Sequence, residues 1–203
     1  MIIGITGPSG AGKSTLAKRL NKTFVNSVYI DCDKIMHNPF LKNLHHEDYT
    51  KSLAKSKFLR PIVYLGANMS DELLDRYWPF ELYSKIFSKT IRKIIAENKE
   101  KIIFIDSGFL TIMPEFFDLC DIKILVKADQ DVRKERILKR NQNTNKELEK
   151  REVSWCYLYD NAKFDIEIDT TNYLSPELKL QHLNLIQQIG KKRQEEKTCE
   201  MGL

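Results

Sequence analysis

Gly7-Pro8-Ser9-Gly10-Ala11-Gly12-Lys13-Ser14 is the stretch whose reading decides the fold. It fits the pattern G-x-x-x-x-G-K-[ST], and it stands between an apolar run, Met1 to Ile5, and a segment from Lys13 to Asn21 that reads as a helix. Glycines let the backbone curl so that successive N–H groups, with the helix N-terminus, face the oxygens of a phosphate. Lys13 adds a mobile positive charge, and the Ser14 hydroxyl suits a Mg2+ ion that bridges terminal phosphates. An ordinary glycine turn would need all the specified positions and both flanking elements to coincide by chance.

Working outward, apolar runs and helical patterns alternate. Val28 to Asp31 reads as a second strand, and apolar residues at Phe80, Tyr83, Phe87, Ile91, Ile94 and Ile95 predict a long amphipathic helix after Pro79. Ile102 to Ile105 reads as a third strand and Ile122 to Val126 as a fourth, before a charged helix from about Asp131 to Arg140. Asp165 to Asp169 reads as a fifth, edge strand. Ser175 then supplies an N-cap and Pro176 a first-turn proline for a last helix that points Leu178, Leu183, Ile186 and Ile189 inward. Such alternation implies right-handed crossovers and a parallel sheet of about five strands covered on both sides, a three-layer α/β sandwich. Residues 1–190 form a single domain in this reading, 38–76 are loops and short helices, and the polar stretch 191–203 is a flexible, solvated tail.

Composition narrows the function classes. A chain of 203 residues with 42% hydrophobic side chains can bury a real core and is too apolar for disorder. No apolar run approaches the ~20 residues that cross a bilayer, and the first residues carry neither a basic leader nor a small-residue cleavage site, so we expect a cytoplasmic protein without a membrane partner. Cys32, Cys120, Cys156 and Cys199 are scattered without a CxxC pair, which suits reduced thiols, and His45-His46 has no third ligand at a telling spacing. The net charge of +5 suits a small polyanionic ligand, and the aromatics form no evident base-stacking platform, so a nucleic-acid partner is not expected.

Acidic and basic residues complete a candidate site. Asp106 closes the third strand, where a carboxylate can orient magnesium and its waters; a strand-terminal aspartate can also merely cap the next helix. The second strand delivers Asp31 and Asp33 to the same sheet edge, where one of them could receive a proton from an acceptor hydroxyl, the bland alternative being caps on the turn into Lys34 to His37. His37 is a candidate acceptor contact. Arg136 and Arg140 share a helix face, and Arg151 follows after a polar stretch, which reads as a phosphate clamp or, more plainly, as a solvated charged face.

With these residues in view, the chain resembles the P-loop small-molecule kinases, and within them the dephospho-coenzyme A kinases. The likeness rests on Ile2 to Gly7 with Gly12-Lys13-Ser14-Thr15, Ile30 to His37, Trp78-Pro79, Ile105 to Leu110, and Cys120 to Arg140, followed by Arg151 and Phe164 to Asp169. It implies the fold of the P-loop nucleoside triphosphate hydrolases, with ATP on Gly7 to Thr15, Mg2+ at Ser14 and Asp106, an acceptor-side insertion over 38–76 and a helical lid over 140–161. By the same resemblance Asp33 is the base near the acceptor hydroxyl, Arg140 a lid contact to the ATP phosphates, and Arg151 a lid arginine. Pro8-Ser-Gly-Ala11 is worded as in uridine kinases, and Trp78, Ser107-Gly108 and Trp155 depart from the coenzyme A pattern. Dephospho-coenzyme A is therefore the leading acceptor, a nucleoside or nucleotide the second, and a non-catalytic nucleotide-binding regulatory protein the alternative of another class. A GTPase switch would need Asn-Lys-x-Asp, and the Asn21-Lys22 and Asn145-Lys146 pairs lack the Asp.

Overall fold

The computed structural model describes residues 1–36, 80–140, 158–159 and 162–200. His37, Arg151, the insertion 38–76, Trp78, Trp155 and the body of the expected lid lie outside the described residues.

Five short strands, β1 (Ile2–Thr6), β2 (Ser27–Asp31), β3 (Ile102–Asp106), β4 (Ile122–Lys127) and β5 (Ile166–Asp169), form one sheet in the order β2-β3-β1-β4-β5. Every pairing is parallel. The helices are α1 (Lys13–Thr23), α2 (Cys32–Met36), α3 (Phe80–Glu97), α4 (Pro114–Phe117), α5 (Gln130–Arg140) and α6 (Pro176–Glu200), with a 3-10 turn at Leu110–Ile112.

Alternation along the strands sorts the core into two layers. Ile3, Ile5, Ile102, Phe104, Ile122 and Ile124 pack with Leu16, Ala17 and Leu20 of α1 and with Leu178, Leu185 and Ile189 of α6. Ile103, Ile105 and Ile30 face the other way, onto Phe87 and Ile91 of α3 and onto Leu110 and Phe116. Each fully buried Ile, Leu or Phe is worth roughly 1.5–3 kcal/mol relative to an exposed one, so both layers are needed to hold a sheet with no exposed face.

Two expectations for the C-terminal helix are corrected. Leu183 is 58% exposed, whereas Leu178 and Ile189 are buried and Ile186 packs against the core as expected, with His182 and Leu185 buried beside them. The stretch from Lys191 to Glu200 is not a flexible tail but continues α6, with its side chains exposed or half-buried. Its polar side chains find distant partners: Lys192 Nζ donates to the Asp121 carbonyl at 2.5 Å, Arg193 donates to the Glu100 carbonyl, and Glu196, paired with its neighbour Arg193 at 3.1 Å, also lies 3.8 Å from the Met1 amine.

The fold places the site by register. Asp106 pairs with Ile5 on one side and with Asp31 on the other, so the ends of β1, β2 and β3 arrive together at the carboxyl edge. Neighbours β3 and β4 flank β1, and the loop leaving β1 therefore opens at the point where the strand order reverses, the place where open α/β sheets hold their ligands.

Candidate nucleotide site

The glycine-rich loop is held by close backbone packing on both sides. Gly7 sits at φ +145°, and a Cβ there would overlap the carbonyl oxygen of Val126. Gly10 sits at φ +80°, where a Cβ would lie 2.7 Å from the Arg133 carbonyl oxygen. Both conformations favour glycine on dihedral grounds, and both contacts require it on steric grounds. Ala11 N donates to Pro8 O at 3.2 Å, closing the turn that leads into α1.

Lys13 curls back so that Nζ donates to Pro8 O at 3.1 Å. Burial pushes its pKa below the ordinary lysine value, against the pull of Asp106 and Asp33, with Arg140 and Arg133 adding to the depression. Ser14 and Asp106 meet beside it. Asp106 is only 4% exposed; burial raises its pKa, while Lys13, Ser14 and Tyr29 hold it down. Tyr29 donates to Asp106 Oδ2 at 2.8 Å and lies 3.3 Å from Asp31 Oδ2, tying the last carboxylates of β2 and β3 together. Burial and then Asp106 raise the Tyr29 phenol, which stays protonated as the donor.

This donor set suits Mg2+. A hydroxyl and a carboxylate are hard oxygen ligands, and Mg2+ binds through one or two protein oxygens with phosphates and water completing its shell. Among the described residues no group of three or more His, Cys, Asp or Glu side chains could cage a metal alone, which agrees with so sparse a set.

Asp33 and Asp31 part company. Asp33, in the first turn of α2, lines the same cleft as Ser9, Lys13, Ser14 and Arg140. Asp31 does not line it; its Oδ1 accepts the Lys34 N–H at 3.1 Å, so the carboxylate caps α2, the plainer of the two expectations for this residue.

The two arginines of α5 expected in the clamp, Arg136 and Arg140, also divide. Arg140 faces the cleft from the last turn. Arg136 also borders it, but its guanidinium is spent on Gly10 O at 3.2 Å, Thr170 Oγ1 at 3.0 Å and Thr170 O at 2.6 Å. It is a strut between the phosphate loop and the end of β5 at the border of the cleft. Thr170 Oγ1 in turn donates to Ala11 O at 2.7 Å.

Several site residues escaped the sequence reading. Tyr29 stands two residues before Asp31 on the same strand face, a signal that period-2 counting could have found. Arg133 lies one turn before Arg136 on α5, buried, with Nε donating to Ala128 O at 2.8 Å. Tyr159 donates to Gly108 O at 2.7 Å, beside the end of β3, and had no sequence signal. Tyr173, His182 and Arg19 border the far end of the cleft.

Known proteins share parts of this pattern. A uridine kinase of Streptococcus gordonii is 28% identical over 70% of this chain and 67% of its own length. A dephospho-CoA kinase of Prochlorococcus marinus is 26% identical over 84% of this chain and 87% of its own. Among solved structures, TT1252 from Thermus thermophilus superposes with a TM-score of 0.64 over 95% of this chain and 97% of that one at 16% identity. The deoxyadenosine kinase of M. mycoides gives 0.51 over 94% and 100% at 20% identity, likenesses of fold alone. A family model described as an AAA domain matches residues 3–155, which takes in the phosphate loop, Asp33, Asp106, Arg136 and Arg140. A glycine loop pinned between β4 and α5, a lysine and serine beneath it and a buried strand-end aspartate thus belong to a chain that is a member of the AAA-domain family of P-loop proteins.

Proposed function

We propose that this chain is an ATP- and Mg2+-dependent kinase that transfers the γ-phosphoryl group of ATP to a hydroxyl of a small metabolite. The observation that carries the proposal is that Asp33, a carboxylate with no place in triphosphate binding, lines the same cleft as Lys13, Ser14 and Arg140. A protein that only bound nucleotide would have little use for a carboxylate in that cleft beyond its pull on Lys13.

The residues divide the work. Loop N–H groups and α1 cradle the phosphates, and Lys13 leaves the Pro8 carbonyl for phosphate oxygens. Ser14 and Asp106 would hold Mg2+, which supplies charge neutralisation between the terminal phosphates when bound. Tyr29 keeps the Asp106 carboxylate turned toward Ser14. Asp33 accepts the proton of the acceptor hydroxyl, and Arg140 meets the negative charge on the γ-phosphoryl oxygens.

Dephospho-coenzyme A is the acceptor we put first, since similarity to the Prochlorococcus marinus dephospho-CoA kinase runs through 84% of this chain. A nucleoside is the second, favoured by the wording Pro8-Ser-Gly-Ala11 and by similarity to the Streptococcus gordonii uridine kinase. A coupled ADP-release screen over dephospho-coenzyme A, uridine, deoxyadenosine and nucleoside monophosphates decides. Acceptor-dependent ADP formation is expected with one of them. Nucleotide binding without turnover on any would leave a regulatory nucleotide-binding protein instead.

A further inference from the structure

Tyr159 does not line the cleft, yet its hydroxyl reaches the two loops on which the cleft depends. It donates to Gly108 O at 2.7 Å, 51 positions back in the chain, on the turn that leaves β3. Burial raises the phenol above the ordinary tyrosine value, while Thr6 and the Gly7 backbone pull it down, so the hydroxyl keeps its proton and donates beside the start of the phosphate loop. The ring that carries it is fixed independently. Leu158 next to it is buried, its centroid lies 6.4 Å from that of Phe164, and Phe164 meets Phe117 edge-on at 5.9 Å. The Tyr159 carbonyl accepts the Ala162 N–H at 3.2 Å, which closes the turn ahead of β5.

The turn held by this hydroxyl begins directly after Asp106. Asp106 is the last residue of β3, Ser107 N donates to Ile5 O at 3.1 Å, and Ser107 Oγ accepts the Phe109 N–H at 3.1 Å. The Gly108 carbonyl lies outside both bonds and takes Tyr159 as its donor. Asp106 is therefore secured from two directions: Tyr29 holds its carboxylate, and Tyr159 holds the chain just beyond it. Because the same hydroxyl stands against Thr6 and Gly7, one oxygen ties the end of β3 to the start of the loop that carries Ser14.

We propose that Tyr159 is a positioning residue for the metal-bound nucleotide, its hydroxyl setting the separation of Asp106 from the loop that carries Ser14. The proposal rests on the kinase reading for Ser14 and Asp106 as the magnesium donors. Mg2+ demands near-ideal octahedral geometry with oxygens at about 2.0–2.1 Å, whereas Ca2+ accepts oxygens over about 2.3–2.6 Å in a flexible shell. A drift in the spacing of the two donors therefore weakens Mg2+ more than Ca2+. Phosphate binding without metal does not need the hydroxyl, because Gly7 and Gly10 keep the loop in shape by packing on the Val126 and Arg133 carbonyls. The effect of Tyr159 is thus confined to the metal.

The test is calorimetric titration of the full chain and of Tyr159→Phe with β,γ-methylene-ATP, which cannot give up its γ-phosphoryl group, in EDTA, in Mg2+ and in Ca2+. Phenylalanine keeps the ring against Phe164 and removes only the hydroxyl. Ser107→Ala, which loosens the same turn from inside, carries the test if Tyr159→Phe does not fold. In EDTA the variant should bind within about twofold of wild type, since the loop keeps its shape. Mg2+ should tighten wild type, and the variant should forfeit about three- to tenfold of that gain, the range of one neutral hydrogen bond, while its gain from Ca2+ falls by less than about twofold. Equal losses in EDTA, Mg2+ and Ca2+ would mark Tyr159 as merely structural and overturn the proposal, as would wild-type affinities throughout. No gain from Mg2+ in wild type would instead remove the magnesium reading of Ser14 and Asp106, and the positioning role with it.

Discussion

Replacing Arg136 by Met should destabilise the protein in the complete absence of nucleotide. The guanidinium makes three hydrogen bonds, to Gly10 O, Thr170 Oγ1 and Thr170 O, and ties the phosphate loop to the end of β5 across more than thirty positions of sequence. Hydrogen bonds from charged donors are worth about 1.5–3 kcal/mol each at best. Arg136 is half-buried, so water replaces part of what is lost, and the total falls at about 2–4 kcal/mol. Methionine keeps most of the aliphatic stem, which confines the loss to the polar contacts. Urea denaturation of the nucleotide-free protein reads this directly. With a slope of roughly 2 kcal/mol per molar urea, the midpoint should drop by about 1–2 M, whereas Arg140→Met, an exposed position, should stay within about 0.3 M of wild type. A midpoint unchanged in Arg136→Met, with weakened ADP binding, would refute the strut and restore a phosphate clamp.

Two further outcomes follow from the geometry. Gly7→Ala must move the Val126 carbonyl and force a non-glycine residue to φ +145°, so the melting temperature should fall by about 5 °C or more, or the protein should fail to accumulate; an unchanged melting temperature would mean that β4 does not pack on the loop. His182 has a folded pKa below its unfolded value. Between those values the unfolded chain binds the extra proton, so stability should be fully present above about pH 6.5 and decline as the pH falls below it, a decline that His182→Gln should remove; equal pH dependence in both proteins would contradict the neutral imidazole on Arg19.

Much of the frame was legible because each signal was local. Apolar runs such as Ile102 to Ile105 could only be buried strands, and the loop from Gly7 to Ser14 required β1 before it and α1 after it. Lys13, Ser14, Asp33 and Asp106 were placed in or beside the cleft for the same reason: strand ends at one sheet edge are neighbours whatever the rest of the chain does. What the sequence hid was the partner of each polar group. Spacing put Arg136 and Arg140 on one face of α5 but could not say that Thr170 and Gly10 would meet the first of them. Asp31 and Asp33 are chemically identical, and only the Lys34 amide distinguishes cap from cleft. The polar end of α6 read as a tail because the carbonyls of Glu100 and Asp121 that hold it lie 93 and 71 residues away.

Asp33→Asn tests the central claim most directly, measured as kcat at saturating ATP and acceptor beside ADP affinity in the same preparation. Asparagine keeps the size and most hydrogen bonding but cannot take a proton. The expected loss in kcat is about 10²–10⁴-fold, toward the lower end if positioning dominates a loose phosphoryl-transfer transition state, with ADP affinity within threefold of wild type. Asp31→Asn, altering a helix cap, should cost far less. Near-normal kcat in Asp33→Asn would contradict the account, because no other described carboxylate lining the cleft could then be the base.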